Sequence, residues 1–446
     1  MSCKVGMVSL GCPKNQVDAE LMLSRLHDAG YYITNDESSA DVVIVNTCGF
    51  IDDAKKEAIE NILELAALKN EGKIKGIVVT GCLAERFRDE VQNELPEIDV
   101  VLGIGENNNI CEAVEAALGG GHYSRFSDKL NLCMEGGRVL TTPKYTAYLR
   151  TSDGCDNCCT YCTIPKIRGR FRSRKMEDII DEAKNLAARG VKEIILIAQD
   201  TTNYGSDLYG EPKLAELLDE LCKVDGIAWI RMLYTYPDLI SDKLLDTMAK
   251  QSKVLNYLDI PLQHCNGDIL KAMNRTGNRE SLTALMSHIR EKLPDVVIRT
   301  TFITGFPGET EEQFNELCEF VNDVKFDRLG CFAYSAEEGT IAAAMDGQIE
   351  DSVKARRAEV IMDAQRRIVD EKNQSRIGET VTVLVEGYDD YIKCWYGRSE
   401  GDAPDIDAKV FFATNGKKLN IGDFVPVEIN DTIEYDLLGC LAESKD

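Results

Sequence analysis

Histidine is scarce in this 446-residue chain, with four copies against sixteen cysteines. Any metal site must therefore rest mainly on thiolates, the ligand type that suits zinc and iron–sulfur clusters. No run of about 18 uninterrupted apolar residues is present, so no membrane-spanning helix is expected. The first thirty residues also lack the basic, apolar and small-residue succession of a secretory signal. Both absences point to the cytoplasm, whose reducing conditions exclude a disulfide framework for the cysteines. Net positive charge is missing too. The chain carries 51 Lys and Arg against 76 Asp and Glu, a net −25, which disfavours indiscriminate binding to nucleic acid or anionic membrane. A hydrophobic content of 44% and a soft prior of about 150 residues per domain predict about three globular domains.

Short β-rich runs alternate with amphipathic stretches in the first part of the chain. The strand candidates are Lys4–Leu10, Val42–Val45, Gly76–Thr80 and Ile98–Leu102, with helical patterns between them. This alternation predicts an α/β unit over residues 1–118 built on a doubly wound parallel sheet. Residues 119–143 contain Gly119-Gly120-Gly121 and Gly136-Gly137, have no clear period, and read as a linker. Six further strand candidates follow in 144–373: Tyr145–Arg150, Glu193–Ala198, Ala228–Leu233, Val254–Ile260, Val296–Ile303 and Arg328–Tyr334. Eight βα units would close a barrel, so six predict a partial (βα)6 one. A charged helix near Asp351–Lys372 ends this part. Residues 374–446 hold five short β runs separated by Gly, Asp and Asn, as in a small antiparallel β-barrel.

Two cysteine constellations stand out. Cys12, Cys48 and Cys82 each follow an apolar strand candidate, at intervals of 36 and 34 residues. Strand C-termini of a parallel sheet share one edge, where ligands bind, so the three should converge. One such cysteine alone would read as a small buried apolar residue; three at equivalent strand ends favour a site. The second constellation is compact, Gly154-Cys155-Asp156-Asn157-Cys158-Cys159-Thr160-Tyr161-Cys162. As Cys155, Cys159 and Cys162 it can wrap three irons of a cubane cluster and leave the fourth open. Taken through Cys158 it is equally a four-thiolate zinc knuckle. Its place after the first strand of a βα barrel, at the face where active sites sit, favours the cluster.

Cys-x-x-x-Cys-x-x-Cys with an aromatic before the last cysteine resembles the radical S-adenosylmethionine superfamily, and the three outlying cysteines resemble those of its methylthiotransferase branch. Leu10-Gly11-Cys12-Pro13-Lys14-Asn15, Ala198-Gln199-Asp200-Thr201-Thr202, Tyr257–His264, Gly305-Phe306-Pro307-Gly308-Glu309, Gly397-Arg398-Ser399 and Asp402–Asp407 are similar to the ribosomal-protein methylthiotransferases within that branch. Its tRNA-modifying relatives usually carry an Asn-rich element where this chain has Gln199-Asp200-Thr201. Cys158 departs from the pattern by adding a competing thiolate; family register favours Cys159 as the ligand.

The resemblance implies two 4Fe-4S clusters, one on Cys155, Cys159 and Cys162 with an open iron for S-adenosylmethionine, the other on Cys12, Cys48 and Cys82. It further implies transfer of a methylthio group to the β-carbon of an aspartate in small-subunit ribosomal protein S-twelve. An electron donor such as flavodoxin or ferredoxin and a sulfur source would be partners; no membrane is involved. Alternatives are a tRNA adenosine methylthiotransferase and a zinc-stabilised RNA-binding protein without catalysis. Candidate cosubstrate contacts are Glu193, where the superfamily meets the methionine amino group, Gln199 at the same strand's end, Arg299 within an apolar strand, and Gly305 in a turn open to close backbone approach. His264 reads as a core histidine at least as well as a catalytic one. The run Lys166, Arg168, Arg170, Arg172, Arg174 and Lys175 invites a phosphate reading, with a solvated face or internal ion pairs as the default. The C-terminal part resembles a TRAM module. From Ser375 onward it has seven basic residues against fifteen acidic ones, a net −8, which repels phosphate and attracts a basic protein. Asp402, Asp405 and Asp407 are the acids expected to do the recruiting.

Overall fold

The computed structural model describes residues 3–414 and 416–442. The first sheet is built from β1 (Lys4–Ser9), β2 (Tyr32–Thr34), β3 (Val42–Thr47), β4 (Gly76–Gly81), β5 (Val100–Leu102) and β6 (Tyr123–Arg125). Its order is β2-β1-β3-β4-β5-β6, and every pair is parallel. β3 and β4 are buried along their whole length. That is why they read as unbroken apolar runs rather than alternating ones, as strands covered on both faces must. β2 and β6 are three residues each, too short to carry a period. β6 lies inside the segment expected to be a linker, so that segment is no free tether. Its Arg138, 8% exposed, bonds Glu20 of the first helix and, at 2.5 Å, Glu182 of the next unit.

The second sheet runs β7 (Thr146–Arg150), β10 (Glu193–Ile197), β11 (Trp229–Met232), β12 (Val254–Asp259), β13 (Val297–Thr304) and β14 (Arg328–Ala333) in that spatial order. All its pairs are parallel, the partial barrel expected. A small ribbon, β8 (Ser152–Asp153) with β9 (Arg172–Ser173), stands beside it. Six strands do not close, so the concave face needs cover from elsewhere. Val17 and Leu21 of the helix Pro13–Asp28 and Leu384 and Ala403 of the C-terminal unit share one core with Tyr148, Ile195, Ile197, Leu255 and Tyr257. Burying such side chains stabilises by roughly 1.5–3 kcal/mol each, which holds three units as one body.

The C-terminal strands β15 (Thr380–Asp389), β16 (Cys394–Ser399), β17 (Val410–Ala413), β18 (Phe424–Ile433) and β19 (Asp436–Leu441) close into a barrel of order β15-β16-β17-β19-β18. Closure removes the sheet edges. One pair, β17 with β19, is parallel, so the barrel is mixed where a purely antiparallel one was expected. Among the described residues no helix is long and apolar enough to cross a membrane.

The charges between the partial barrel and the C-terminal unit correct two expectations. Glu193 is fully buried and bound by Arg398 at 2.6 Å and Arg231 at 3.1 Å. It opens β10, at the opposite end of the strand from the cysteine loop, and holds two units together rather than meeting a cosubstrate. Asp402 pairs with Arg328 at 2.5 Å, and Asp407 accepts from the Tyr257 hydroxyl at 2.6 Å. Their side chains are 1% and 2% exposed, so these acids shape the seam and do not face a partner. Asp405 alone of the three is exposed.

Candidate functional site: two thiol triads at facing strand ends

Cys12 caps the first helix after β1, Cys48 follows β3, and Cys82 opens the helix Cys82–Phe87 directly after β4. The glycines show how close these loops lie. A Cβ on Gly11 would stand 2.7 Å from the Cys48 Cβ, and one on Gly49 would stand 2.7 Å from Leu83 and 3.2 Å from the Cys82 carbonyl carbon. Gly11 also has φ +87°, a conformation that side chains resist. Glycine at these two positions lets the loop of Cys12 pass against Cys48 and the loop of Cys48 against Cys82. Burial pushes the Cys48 thiol up and the Cys82 thiol up to about 12.

The second triad lies just past β8. Gly154 takes φ +78°, and a Cβ there would stand 2.1 Å from the Arg170 carbonyl oxygen. The Cys155 amide donates to Gly169 O at 3.2 Å and that of Cys162 to Cys159 O at 3.0 Å. These bonds fold the loop on itself. Cys158 is exposed with φ +51°, and Asn274 pins its carbonyl and that of Asn157, each at 3.1 Å. Cys159 is half-buried and lies 3.8 Å from an Arg275 guanidinium nitrogen. Burial pushes Cys155 and Cys162 up to about 12, so loading a metal must displace their protons. Among the described residues no three His, Cys, Asp or Glu side chains are drawn together as a single-ion site.

Near the triads stand Gln199, a candidate from the sequence, and Lys14, which the sequence offered only as part of the Leu10–Asn15 motif. Lys14, 7% exposed, reaches from the first helix into the barrel mouth. Its ammonium sits 3.2 Å from the Tyr234 ring centroid and 3.4 Å from the Ala198 carbonyl. Burial pulls its pKa down, while Cys12 and nearby carboxylates oppose the shift. Gln199 donates to Asp153 at 2.8 Å, and its buried Oε1 has no partner. Such an atom costs roughly 1–3 kcal/mol unless a ligand donates to it, which fits an ammonium or hydroxyl bound at the strand's end. Asn157 of the cysteine loop bonds Asp200 at 2.9 Å.

Other candidates belong to the scaffold. Arg299 pairs with Asp259 at 2.8 Å and approaches Asp407 at 3.6 Å, so its carboxylate partners are internal. Gly305 does permit a close approach, but the neighbour is Lys354, whose Cγ would stand 2.3 Å from an added Cβ. The Gly305 amide donates to Glu309 at 2.6 Å. His264 is fully buried, hydrogen-bonded to Glu309 at 3.1 Å and accepting from the Asn266 amide at 2.9 Å, a core histidine. The four arginines of the basic run are ion-paired within the protein, whereas Lys166 and Lys175 are exposed. Arg168 meets Asp18, Arg174 meets Glu135 and Glu182, and Arg170, though 83% exposed, is paired with Asp156. The phosphate reading of that run is set aside. Arg275 carried no signal in the sequence, whereas Lys14 stood two residues from Cys12.

Cys158 and Cys159 can be told apart by substitution. Cys158→Ala is expected to leave the iron content of the reconstituted protein within about a tenth of wild type, because the side chain is exposed, whereas Cys159→Ala should remove about half of the iron. The reverse outcome would move the ligand to Cys158.

A parallel partial barrel carrying Cys-x-x-x-Cys-x-x-Cys at its mouth defines a radical S-adenosylmethionine enzyme, here a transferase. Residues 149–321 match the radical SAM superfamily, 4–103 the uncharacterized protein family UPF0004 and 377–441 the TRAM domain. The radical S-adenosylmethionine methyltransferase TsrM of Kitasatospora setae shares the fold, with a TM-score of 0.55 at 15% identity over 75% of each chain. The ribosomal protein uS12 methylthiotransferase RimO of Desulforamulus reducens is 51% identical over 98% of this chain and 99% of its own. That of Pelotomaculum thermopropionicum is 52% identical over the same shares. The chain belongs to the RimO methylthiotransferase family.

Proposed function

We propose that the protein places a methylthio group on the β-carbon of an aspartate of ribosomal protein uS12. The observation that carries this reading is the pair of thiol triads at facing strand ends, in a chain 51% identical to RimO over nearly its full length. Cys155, Cys159 and Cys162 would hold one 4Fe-4S cluster and Cys12, Cys48 and Cys82 a second. When bound, the clusters and S-adenosylmethionine supply the hydrogen-abstracting radical, the sulfur and the methyl group. The chain's own residues bind, orient and exclude water. Gln199 offers its free Oε1 to the cosubstrate ammonium, Asp153 fixes the amide that presents it, and Lys14 seals the mouth between the triads. Glu193, Arg299 and Gly305 are not among the contacts. The working units are 1–118, 144–373 and 374–446, with 119–143 as a strap across the first two. An electron donor such as flavodoxin or ferredoxin and a sulfur source complete the cycle in the cytoplasm.

Recruitment of a basic protein falls to the exposed acids of the last unit, among them Glu379, Asp390, Asp405, Glu428, Asp431 and Glu434. Their attraction should fade as salt shortens the screening length to ~8 Å near physiological ionic strength. The test is an anaerobic assay of reconstituted enzyme against uS12 and tRNA in parallel, read by mass spectrometry. Methylthio-aspartate on the protein with at least about a hundredfold less methylthio-adenosine is expected; modified tRNA with unmodified protein would reassign the substrate.

A further inference from the structure

The guanidinium of Arg168 lies against the Cys82 sulfur of the first triad. It belongs to the segment that follows the barrel cysteines, yet one of its nitrogens stands 3.6 Å from the Cys82 sulfur and 3.2 Å from Asn15 Oδ1. The other donates to Asp18 at 2.6 Å and approaches Asp153 at 3.4 Å. The side chain is 1% exposed. Around it the charges do not balance. Arg150, Arg168 and Arg172 share the carboxylates of Asp18 and Asp153, and the Lys14 ammonium acts on Arg168 and Asp153 as well, so positive charge is in excess beside Cys82. A thiolate at Cys82 would offset part of that excess. Arginine suits the place because its planar fork reaches several acceptors while staying charged.

We infer that Arg168 is a positioning residue that raises the reduction potential of the cluster on Cys12, Cys48 and Cys82. This rests on the proposal that the cluster is held there. A buried cation donating to a ligand sulfur stabilises the more negative, reduced cluster over the oxidised one, and hydrogen bonds to cluster sulfur are a recognised lever on potential. Asp18 opposes it. Its carboxylate compensates part of the guanidinium charge, so removing either group should move the potential in opposite directions. Loss of packing would not produce that pattern.

The test uses the full chain with Cys155, Cys159 and Cys162 replaced by alanine, so that only one cluster remains. Its potential is read by electron paramagnetic resonance during dithionite titration. Arg168→Gln is expected to make reduction about tenfold less favourable, a shift of about 59 mV downward for one electron, with iron content kept. Arg168→Lys should recover part of the loss, and Asp18→Asn should shift the potential upward. If Arg168→Gln fails to hold iron, the direction of the Asp18→Asn shift decides. Potentials unchanged in Arg168→Gln and Asp18→Asn at full iron content would overturn the inference. Absence of about four irons in the parent would instead overturn the cluster assignment, a separate failure.

Discussion

Replacing Cys12, Cys48 or Cys82 by alanine should abolish methylthiolation to below detection while reductive cleavage of S-adenosylmethionine continues at near the wild-type rate. Generating the radical needs only the barrel triad; inserting sulfur needs both. The two triads stand on different sheets, and each is ordered by its own contacts: Gly11 against Cys48 in one, Gly154 against Arg170 in the other. Loss of one should therefore leave the other's loop folded. Anaerobic reconstitution should load about eight irons in wild type and about four in either set of variants. Replacing Cys155, Cys159 and Cys162 together should stop both cleavage and transfer. Cleavage lost in Cys12→Ala, or stoichiometric zinc without iron in wild type, would contradict the two-triad reading.

Glu193→Gln should destabilise the protein by about 3–5 kcal/mol, because it leaves Arg231 buried without its carboxylate and Arg398 with Glu386 alone. Their side chains are 0% and 2% exposed and all the bonds cross strands or units, so water cannot compensate them. A paired control, Asp181→Asn, breaks a surface ion pair whose members are 61% and 69% exposed and should cost less than about 1 kcal/mol. Thermal melts of the two variants give the comparison, and equal melting temperatures would refute the ranking. The same carboxylate predicts a pH dependence. Burial pushes the Glu193 pKa up, but Arg398 and Arg231 outweigh it and hold the group at about 2 against an ordinary 4.5. A depressed carboxylate contributes stability that is whole above its unfolded value and lost as pH falls through the folded one. Wild type should therefore lose this stabilisation between about pH 4.5 and pH 2, a slope that Glu193→Gln should flatten.

Much of the architecture was readable because it is written in local periods. The continuous apolar runs of β3 and β4 and the six strands β7 and β10 to β14 were located from pattern alone, and their parallel pairing fits right-handed connection. β2 and β6 were missed because, unlike the equally short but fully buried β5, they are edge strands with no buried apolar run and are held by pairing to β1 and β5. The mixed pairing of β17 and β19 was hidden because strand direction depends on where the chain returns, and residue type does not encode it.

By itself the sequence pointed to which cysteines should come together, because strand ends of a parallel sheet share one edge and a nine-residue loop keeps its thiols close. Tertiary structure alone decided the fate of the charges. Glu193, Arg299, Asp402 and Asp407 look available in the sequence, and each is held by a partner from another strand or unit, at separations from 40 to 205 residues. Arg168 and Lys14 look like members of ordinary basic segments and instead lie buried between two sheets, one 3.6 Å from a cysteine sulfur and the other at the barrel mouth. The reason is physical: a short-range pattern records which face of an element is apolar, whereas the partner of a buried charge is chosen by the packing of distant elements, where an uncompensated charge is too costly to leave alone.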